Sequence, residues 1–213
     1  MDTTCANSVT ETEFREVRLA KLRQNKVFEP GIGEVEGFEA CLQLKEDHIP
    51  VNRKARTVPY ALKEKIESTI DRMVDNGILV QVKNSQYASP IVPVEKDDGT
   101  VQICGDYKST LNPNLETKQY PLPTVECFQT VCDGQKFSKL DIRQAYSNLK
   151  LKEGDQKHTT INTTKGLHRW TRLPYGISSS TAIFQQKMYQ VLEGCKAVVC
   201  RVDDILVTGK TEG

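Results

Sequence analysis

Two stretches of this sequence that read as β-strands carry acidic residues in otherwise apolar surroundings. The first, residues 137–141, ends on Asp141, and the second is a β-branched run, residues 198–207, which Asp203 and Asp204 interrupt. An ionised carboxylate in an apolar setting is costly unless it is paired or binds a cation. The two stretches therefore predict a metal site to which separate strands contribute carboxylates.

Magnesium suits such a site, because it prefers hard oxygen ligands in octahedral geometry, usually one or two carboxylates with waters and phosphates. Neighbouring residues of a regular strand point to opposite faces of a sheet, so Asp203 and Asp204 can serve one site only from a tight hairpin turn. The sequence therefore predicts two short strands joined by a turn at this pair. The alternative is a plain pair of turn aspartates, like Asp97 and Asp98, which precede Gly99 in a polar segment.

Composition limits the class of protein. The chain has 213 residues, of which 38% are hydrophobic and 27% charged, enough for one large core or two small lobes. Its first ten residues show no basic segment followed by an apolar one, and no apolar run approaches the roughly 18 residues that span a bilayer. These features predict a soluble intracellular protein of the cytoplasm or nucleus with no membrane partner.

The seven cysteines permit one further hypothesis. Cys127 and Cys132 have the same spacing as Cys195 and Cys200, so the two pairs could close a four-thiolate zinc site. Buried free thiols explain the four residues better, because they lie in helix-like and strand-like apolar stretches. A zinc-dependent interaction module stays open as the less favoured alternative.

The net charge is only +1, yet the charges are unevenly placed. Residues 135–172 contain nine lysines and arginines against three acidic residues, a local surplus that would suit a phosphate backbone. Solvated strand and helix faces are the alternative explanation.

Hydrophobic periodicity places the regular elements. It predicts helices over residues 11–25, 61–76, 124–132 and 181–193, and hairpins that pair 89–96 with 101–107 and 159–163 with 167–170. Gly77 should end the second helix. Pro90 and Pro93 lack the N–H groups that a central strand donates on both sides, so they predict an edge position for the strand 89–96.

Several segments together resemble reverse transcriptases. The palm motifs are matched in order by Lys-Leu-Asp-Ile-Arg-Gln-Ala-Tyr at 139–146, Arg-Leu-Pro-Tyr-Gly-Ile-Ser-Ser at 172–179 with Ala-Ile-Phe-Gln at 182–185, and Val-Asp-Asp-Ile-Leu-Val at 202–207. Upstream, residues 88–94, 103–108 and 120–123 look like the fingers of Ty3/gypsy-type LTR retrotransposon polyproteins. The resemblance covers roughly residues 27–210. It implies an α+β right-hand polymerase fold with fingers and palm only, an antiparallel palm sheet backed by helices, and no thumb.

The resemblance also implies a set of domain limits. They are an N-terminal helical extension over 1–26, an extended linker over 27–60, fingers over 61–135 and a palm over 136–213.

The resemblance assigns roles to the acidic residues. Asp141, Asp203 and Asp204 match the catalytic aspartates of the family. The first two would hold two Mg²⁺ ions, for which Mn²⁺ is a possible substitute, that align a primer 3′ hydroxyl with an incoming triphosphate. The implied partners are an RNA or DNA template with its primer, and deoxynucleoside triphosphates.

Five further residues match nucleotide-binding positions. Tyr146 matches an aromatic gate that excludes the ribose 2′ hydroxyl, although a core aromatic is the alternative. Tyr175 and Gly176 match a loop that lines the nucleotide and template. Lys96 and Gln102 lie where fingers residues approach the triphosphate.

The chain departs from the family at three positions. Arg201 replaces the tyrosine of the Tyr-x-Asp-Asp box, Gln102 a fingers arginine, and Thr181 a proline. Arginine cannot replace a packed phenol, and glutamine lacks the charge that pairs with phosphate. Because the sequence also ends nine residues after Asp204, we expect a truncated or decayed copy with little processive activity. A non-catalytic nucleic-acid-binding remnant is the alternative.

Overall fold

The computed structural model describes residues 31–116, 120 and 134–210. The chain divides into two units, Met1–Ile32 and Gly33–Gly213, and every element below belongs to the second. The helices predicted over residues 11–25 and 124–132 lie outside the described residues.

The second unit mixes strands and helices along the chain. Its strands are β1 (Glu39–Ala40), β2 (Leu79–Val82), β3 (Ser89–Glu95), β4 (Val101–Gly105), β5 (Lys136–Asp141), β6 (Lys150–Leu151), β7 (Ile161–Thr163), β8 (Gly166–Trp170), β9 (Val198–Arg201) and β10 (Asp204–Gly209). Its α-helices are α1 (Tyr60–Asp75), α2 (Glu153–Gln156) and α3 (Ser180–Val191), and short 3-10 turns span Asn112–Asn114, Ala145–Asn148 and Lys157–Thr159. No helix among these described segments combines the length and apolar character that crossing a bilayer requires.

Helix α1 follows the predicted periodicity closely. Its buried side includes Ile66 and Ile70, and the helix packs against β2 and β4. The helix ends where Gly77 adopts a φ of +66°, which lets the Ile78 N–H donate to the Met73 carbonyl at 2.9 Å. This contact belongs to the Schellman pattern, in which a glycine ends a helix because it has no Cβ to strain. The predicted helix and its stop are confirmed.

A five-stranded sheet in the order β2-β8-β7-β3-β4 carries α1. Strands β3 and β4 form the predicted antiparallel hairpin, in which Glu95 faces Val101 and Gly99 has a φ of +76°. Strands β7 and β8 form the second predicted hairpin, closed where Thr163 faces Gly166.

The edge position predicted for β3 is wrong. Strand β3 lies between β7 and β4, and β4 occupies the edge. Its parallel pairing with β7 involves only Ser89 and Pro90, whereas its pairing with β4 extends from Ile91 to Glu95. Pro93 is therefore tolerated because the second neighbour does not reach it.

A separate three-stranded antiparallel sheet in the order β5-β10-β9 lies near the C-terminal end of the described chain. Helix α3 packs against β9, while β5 is exposed along its whole length. Strands β7 and β8, from residues 161–170, complete the sheet of β2 to β4, so sheet membership crosses the predicted limit between fingers (61–135) and palm (136–213). The domain ranges stay a prediction.

A buried imidazole makes the stability of this fold depend on pH. The His158 side chain is 5% exposed, its Nδ1 atom has no hydrogen-bond partner among the described residues, and the Tyr87 ring lies edge-on at 4.6 Å. Burial, followed by the positive charge of Lys157, lowers the pKa of His158 from 6.5 to about 4.

Between these two pKa values the unfolded chain binds a proton at His158 that the folded chain does not. Stability should therefore fall as the pH drops from 6.5 towards about 4. Urea unfolding at several pH values should show a shallower pH dependence for His158→Phe than for the parent chain. An equally steep dependence in the two proteins would contradict this assignment.

Candidate active site

The three predicted catalytic aspartates lie at one end of the three-stranded sheet. Asp141, the last residue of β5, stands directly opposite Asp204, the first residue of β10. The Ile142 N–H donates to the Asp203 carbonyl at 3.0 Å, which ties the turn to the end of β5. All three aspartates are exposed. Strand pairing thus brings together carboxylates that the sequence keeps far apart.

The turn that presents the acidic pair contains two residues. Because Arg201 faces Asp204 across the hairpin, only Val202 and Asp203 remain between the strands. The tight hairpin predicted at the acidic pair is present, with Asp203 in the turn and Asp204 as the first residue of β10. Val202 has a φ of +56°, a conformation that suits two-residue hairpin turns and is unfavourable for a β-branched side chain. Such a conformation costs about 1–3 kcal/mol and persists only where the surroundings impose it.

A lysine that the sequence analysis did not single out already contacts this acidic cluster. Lys139 lies two residues before Asp141 on the same face of β5, and its Nζ is 2.9 Å from Asp204 Oδ1. The hydrogen bond to Asp204, the charge of Asp204 and then the charges of Asp141 and Asp203 raise the Lys139 pKa. A side-chain cation is thus attracted to the place where the sequence predicts a metal.

The three aspartates are the candidate ligands for a metal ion. Within the described ranges, no group of three or more His, Cys, Asp or Glu side chains is arranged to hold a metal ion. The chemistry of the three carboxylates nevertheless fits a hard divalent cation, and their attraction for the Lys139 ammonium shows that they favour positive charge. For the zinc hypothesis, Cys195 is exposed and Cys200 buried, while Cys127 and Cys132 lie outside the described residues.

Removing the Lys139 charge should strengthen divalent-cation binding. Lys139→Met should raise the affinity for Mn²⁺ by about threefold to tenfold, because a competing positive charge leaves the carboxylates. Titration of Mn²⁺ followed by electron paramagnetic resonance measures this directly. Lys150→Met is the matched control, since Lys150 pairs with Glu39 elsewhere in the fold. An equal rise in both variants would show that net charge alone is responsible.

The predicted gate residue Tyr146 is held within an aromatic group. Its ring lies 4.9 Å from the ring of Tyr175 and 5.6 Å from that of Phe184, and its hydroxyl is 2.9 Å from Thr181 Oγ1. Thr181 is one of the departures from the family, and here it supplies the polar partner of the Tyr146 hydroxyl. The side chain is half-buried, which leaves part of the ring accessible.

Tyr175 connects this aromatic group with the carboxylates. Burial raises the pKa of Tyr175 to about 12, and the neighbouring Tyr146 hydroxyl, Asp203, Cys104 and Asp141 act in the same direction. The phenol therefore stays neutral at physiological pH. The ring contact joins Tyr175 to Tyr146, and the influence of Asp203 and Asp141 on its pKa indicates that the carboxylates are near.

The loop that contains Gly176 is fixed against the hairpin of β3 and β4. Gly176 has a φ of +93°, and a Cβ at this position would overlap the carbonyl oxygen of Gly105. Asn112 holds the loop by donating from Nδ2 to the Gly176 carbonyl at 3.0 Å and accepting from the Ser178 N–H at 3.0 Å. Gly176 was predicted from the sequence as a site residue, whereas Asn112 was not.

The two predicted fingers residues lie on the hairpin of β3 and β4. Gln102 donates to the Cys104 thiol at 3.7 Å, and Lys96 follows β3 in the turn. Burial raises the pKa of Cys104, whereas the Gln102 hydrogen bond and the Lys96 charge oppose the rise. Gly105, the residue after Cys104, lies against Gly176, the residue after Tyr175, so the hairpin that carries the fingers residues adjoins the aromatic group.

Comparison with known proteins identifies the family. Residues 63–213 match the family model described as "Reverse transcriptase (RNA-dependent DNA polymerase)", well over half of the chain. The chain belongs to the reverse transcriptase family. The ancestry predicted from the sequence motifs is confirmed, and the family to which the chain belongs is one of nucleotidyltransferases.

Two similar sequences place this reverse transcriptase among much longer proteins. The uncharacterized protein K02A2.6 of Caenorhabditis elegans is 31% identical over 210 residues, which are 96% of this chain and 17% of that protein. The transposon Tf2-3 polyprotein of Schizosaccharomyces pombe is 29% identical over 203 residues, which are 94% of this chain and 15% of the polyprotein. The reverse transcriptase chain thus spans less than a fifth of either relative.

Solved reverse transcriptase structures show the same fold. The native protease-reverse transcriptase of prototype foamy virus superposes with a TM-score of 0.81 at 20% identity, over 96% of this chain and 28% of that one. The foamy viral enzyme in complex with an RNA/DNA hybrid gives a TM-score of 0.81 at 22% identity, over 97% and 28%. The predicted α+β right-hand polymerase fold is confirmed, and a chain of fingers and palm fits the match.

Proposed function

We propose that this chain is the fingers and palm of an RNA-directed DNA polymerase from a Ty3/gypsy-type retroelement. It adds deoxynucleotides to a primer as an RNA or DNA template directs. The observation that carries the proposal is the pairing of Asp141 with Asp204 beside the turn of Asp203, in a chain that belongs to the reverse transcriptase family.

The reaction that this proposal assigns needs no protein nucleophile. The primer 3′ oxygen forms a bond to the α-phosphorus of the triphosphate, the bond to pyrophosphate breaks, and the hydroxyl proton passes to solvent. Asp141 and Asp203 would hold Mg²⁺ or Mn²⁺, with Asp204 beside them. When bound, the cations lower the pKa of the hydroxyl and neutralise charge on the phosphate. Lys139 must release Asp204 if that carboxylate is to contribute.

The remaining site residues would position the nucleotide. In this proposal Tyr146 meets the sugar, while Tyr175 and Gly176 line the base and template. Lys96 and Gln102 approach the triphosphate from the hairpin of β3 and β4. The support is the ring contact between Tyr146 and Tyr175, the influence of Asp203 and Asp141 on the pKa of Tyr175, and the Gln102 hydrogen bond to Cys104 on the hairpin that adjoins Gly176.

A nucleic-acid partner is supported by the foamy viral relative, which was solved with an RNA/DNA hybrid. Local charge gives weaker support. Several basic residues of the surplus form ion pairs within the chain: Lys139 with Asp204, Lys150 with Glu39, Lys165 with Asp71 and Arg172 with Glu34. The exposed pairs of the three lysines are easily broken, so these lysines remain available to phosphates, whereas Arg172 is only 19% exposed.

One observation favours the non-catalytic remnant as a second candidate. Lys139 contacts the Asp204 carboxylate, and Arg201 pairs with Asp204 across the turn through the backbone, so both strands next to β10 bring a basic residue to this end of the sheet. A surface of this kind could hold nucleic acid without aligning a triphosphate.

A primer-extension experiment separates the two functions. The purified chain is incubated with a labelled primer on an RNA or a DNA template, Mg²⁺ or Mn²⁺, and one deoxynucleotide at a time. The polymerase proposal expects addition of the complementary nucleotide, dependent on the cation. Binding of primer and template without any addition would instead establish the remnant.

A further inference from the structure

A glutamine of helix α3 contacts the backbone of the carboxylate hairpin. The Gln185 side chain is 0% exposed. Its Oε1 accepts a hydrogen bond from the Val202 N–H at 2.7 Å, and its Nε2 donates to the Cys200 carbonyl at 2.9 Å. One planar amide thus satisfies a donor and an acceptor on either side of Arg201, where β9 enters the turn.

These contacts act at the most strained part of the hairpin. Val202 is a β-branched residue with a φ of +56°. This backbone conformation is energetically unfavourable and persists only where the surrounding structure imposes it. The bond from its N–H to Gln185 fixes the orientation of the peptide that leads into Asp203. Without this bond, Val202 keeps in the turn the weaker contact of its carbonyl with the Cys200 thiol at 3.4 Å.

The same helix also reaches the predicted gate. Thr181 and Phe184 contact Tyr146, and Gln185 follows at the spacing that keeps side chains on one face of a helix. Residues of the single helix α3 therefore contact both the aromatic group and the turn.

We propose that Gln185 is a positioning residue: its amide holds Val202 in the strained conformation that presents Asp203 and Asp204 to a shared cation. The inference rests on the proposed function, because it assigns the two carboxylates to cation binding. Gln185 itself touches neither the nucleotide nor the cation.

The test compares two glutamines of similar burial. Gln185→Leu keeps the shape of the side chain and removes both hydrogen bonds. Gln156→Leu is the matched control, because Gln156 is 7% exposed and donates to the Leu151 carbonyl at 3.2 Å, away from the hairpin. Both variants lose a buried amide, so general destabilisation is shared between them.

The first measurement is amide hydrogen exchange resolved by residue. In Gln185→Leu the Val202 amide should exchange about tenfold faster or more than in Gln156→Leu, after correction for global stability. The second is Mn²⁺ titration, in which Gln185→Leu should bind about tenfold more weakly than the parent chain. Val202→Gly, which removes the strain, should restore part of the Mn²⁺ affinity when combined with Gln185→Leu. Rescue of this kind is not expected from a glutamine that only fills space.

The outcomes separate failure of the inference from failure of the proposed function. If Asp203→Asn abolishes Mn²⁺ binding but Gln185→Leu leaves it unchanged, the inference is overturned and the cation site stands. If Asp203→Asn leaves Mn²⁺ binding intact, the proposed cation site fails, and exchange at Val202 alone decides whether Gln185 holds the turn.

Should Gln185→Leu fail to fold, Gln185→Glu replaces it. Glutamate keeps the acceptor for Val202 and loses only the donor to Cys200, so exchange at the Val202 amide should stay close to that of the parent chain, and a tenfold loss of protection there contradicts the inference.

Discussion

Replacement of Asp203 by Asn should lower template-directed nucleotide addition by about a thousandfold or more, to the limit of detection. The change keeps the size of the side chain and removes its charge, so the hairpin and its hydrogen bonds to Ile142 and Gln185 should persist. What disappears is the anionic oxygen that would bind the cation. Asp141→Asn should have a comparable effect, because it loses the opposing carboxylate.

Single-nucleotide addition, measured by gel separation of a labelled primer, gives the rate. The chain provides its own matched control, the double variant Asp97→Asn/Asp98→Asn, in the turn between β3 and β4. Asparagine still accepts the hydrogen bonds that Asp98 takes from Thr100. We expect this variant to retain the parent rate. Comparable activity in Asp203→Asn and the parent chain would remove Asp203 from the catalytic residues.

The elements of this fold that were predicted correctly are those that local patterns determine. Helix α1 has an apolar stripe and a glycine that ends it, and the hairpin of β3 and β4 has Asp97, Asp98 and Gly99 at its turn. The turn at Asp203 was predicted because two adjacent carboxylates can share a site only from a hairpin. In each case the residues that decide the conformation are neighbours in the sequence.

The failures concern contacts between distant segments. The position of β3 inside its sheet depends on a short parallel pairing of Ser89 and Pro90 with β7, and the β3 sequence contains no pattern that predicts this pairing.

Lys139 and Gln185 were not predicted as site residues, although the position of each in the sequence indicates a contact. Lys139 shares a strand face with Asp141, and Gln185 is a polar residue between the buried Phe184 and Met188 of α3. A polar side chain on the buried face of a helix needs a partner, so its position indicates a contact without revealing which.

Two of the departures from the family differ in their expected effect on the site. Thr181, which replaces a proline, bonds the hydroxyl of Tyr146 and so takes part in the aromatic group. Arg201, which replaces a tyrosine, places a positive charge opposite Asp204. The first is compatible with a working site, whereas the second adds a basic residue on the strand next to Asp204, whose carboxylate Lys139 already contacts. Relative cation affinity is therefore the property that these departures most directly affect.

The second large effect is expected at the sugar. Tyr146→Val should raise the use of ribonucleotides relative to deoxynucleotides by about tenfold or more, because a steric clash of a few kcal/mol disappears with the ring. The structure favours this outcome, since the ring is held by Tyr175 and Phe184 and cannot easily turn aside. The ratio of kcat/KM for the two nucleotides, measured at single-nucleotide addition, reports the selectivity without depending on the absolute rate.

Two further variants show which part of Tyr146 is responsible. Tyr146→Phe keeps the ring and loses the bond to Thr181, and Thr181→Ala loses the same bond from the other side. If the ring itself excludes the 2′ hydroxyl, both variants should retain most of the preference for deoxynucleotides. If they match Tyr146→Val, the hydroxyl pair that orients the ring is the selective element. An unchanged ratio in Tyr146→Val would mean that Tyr146 is a core aromatic that packs on α3, and that the sugar is read by another residue.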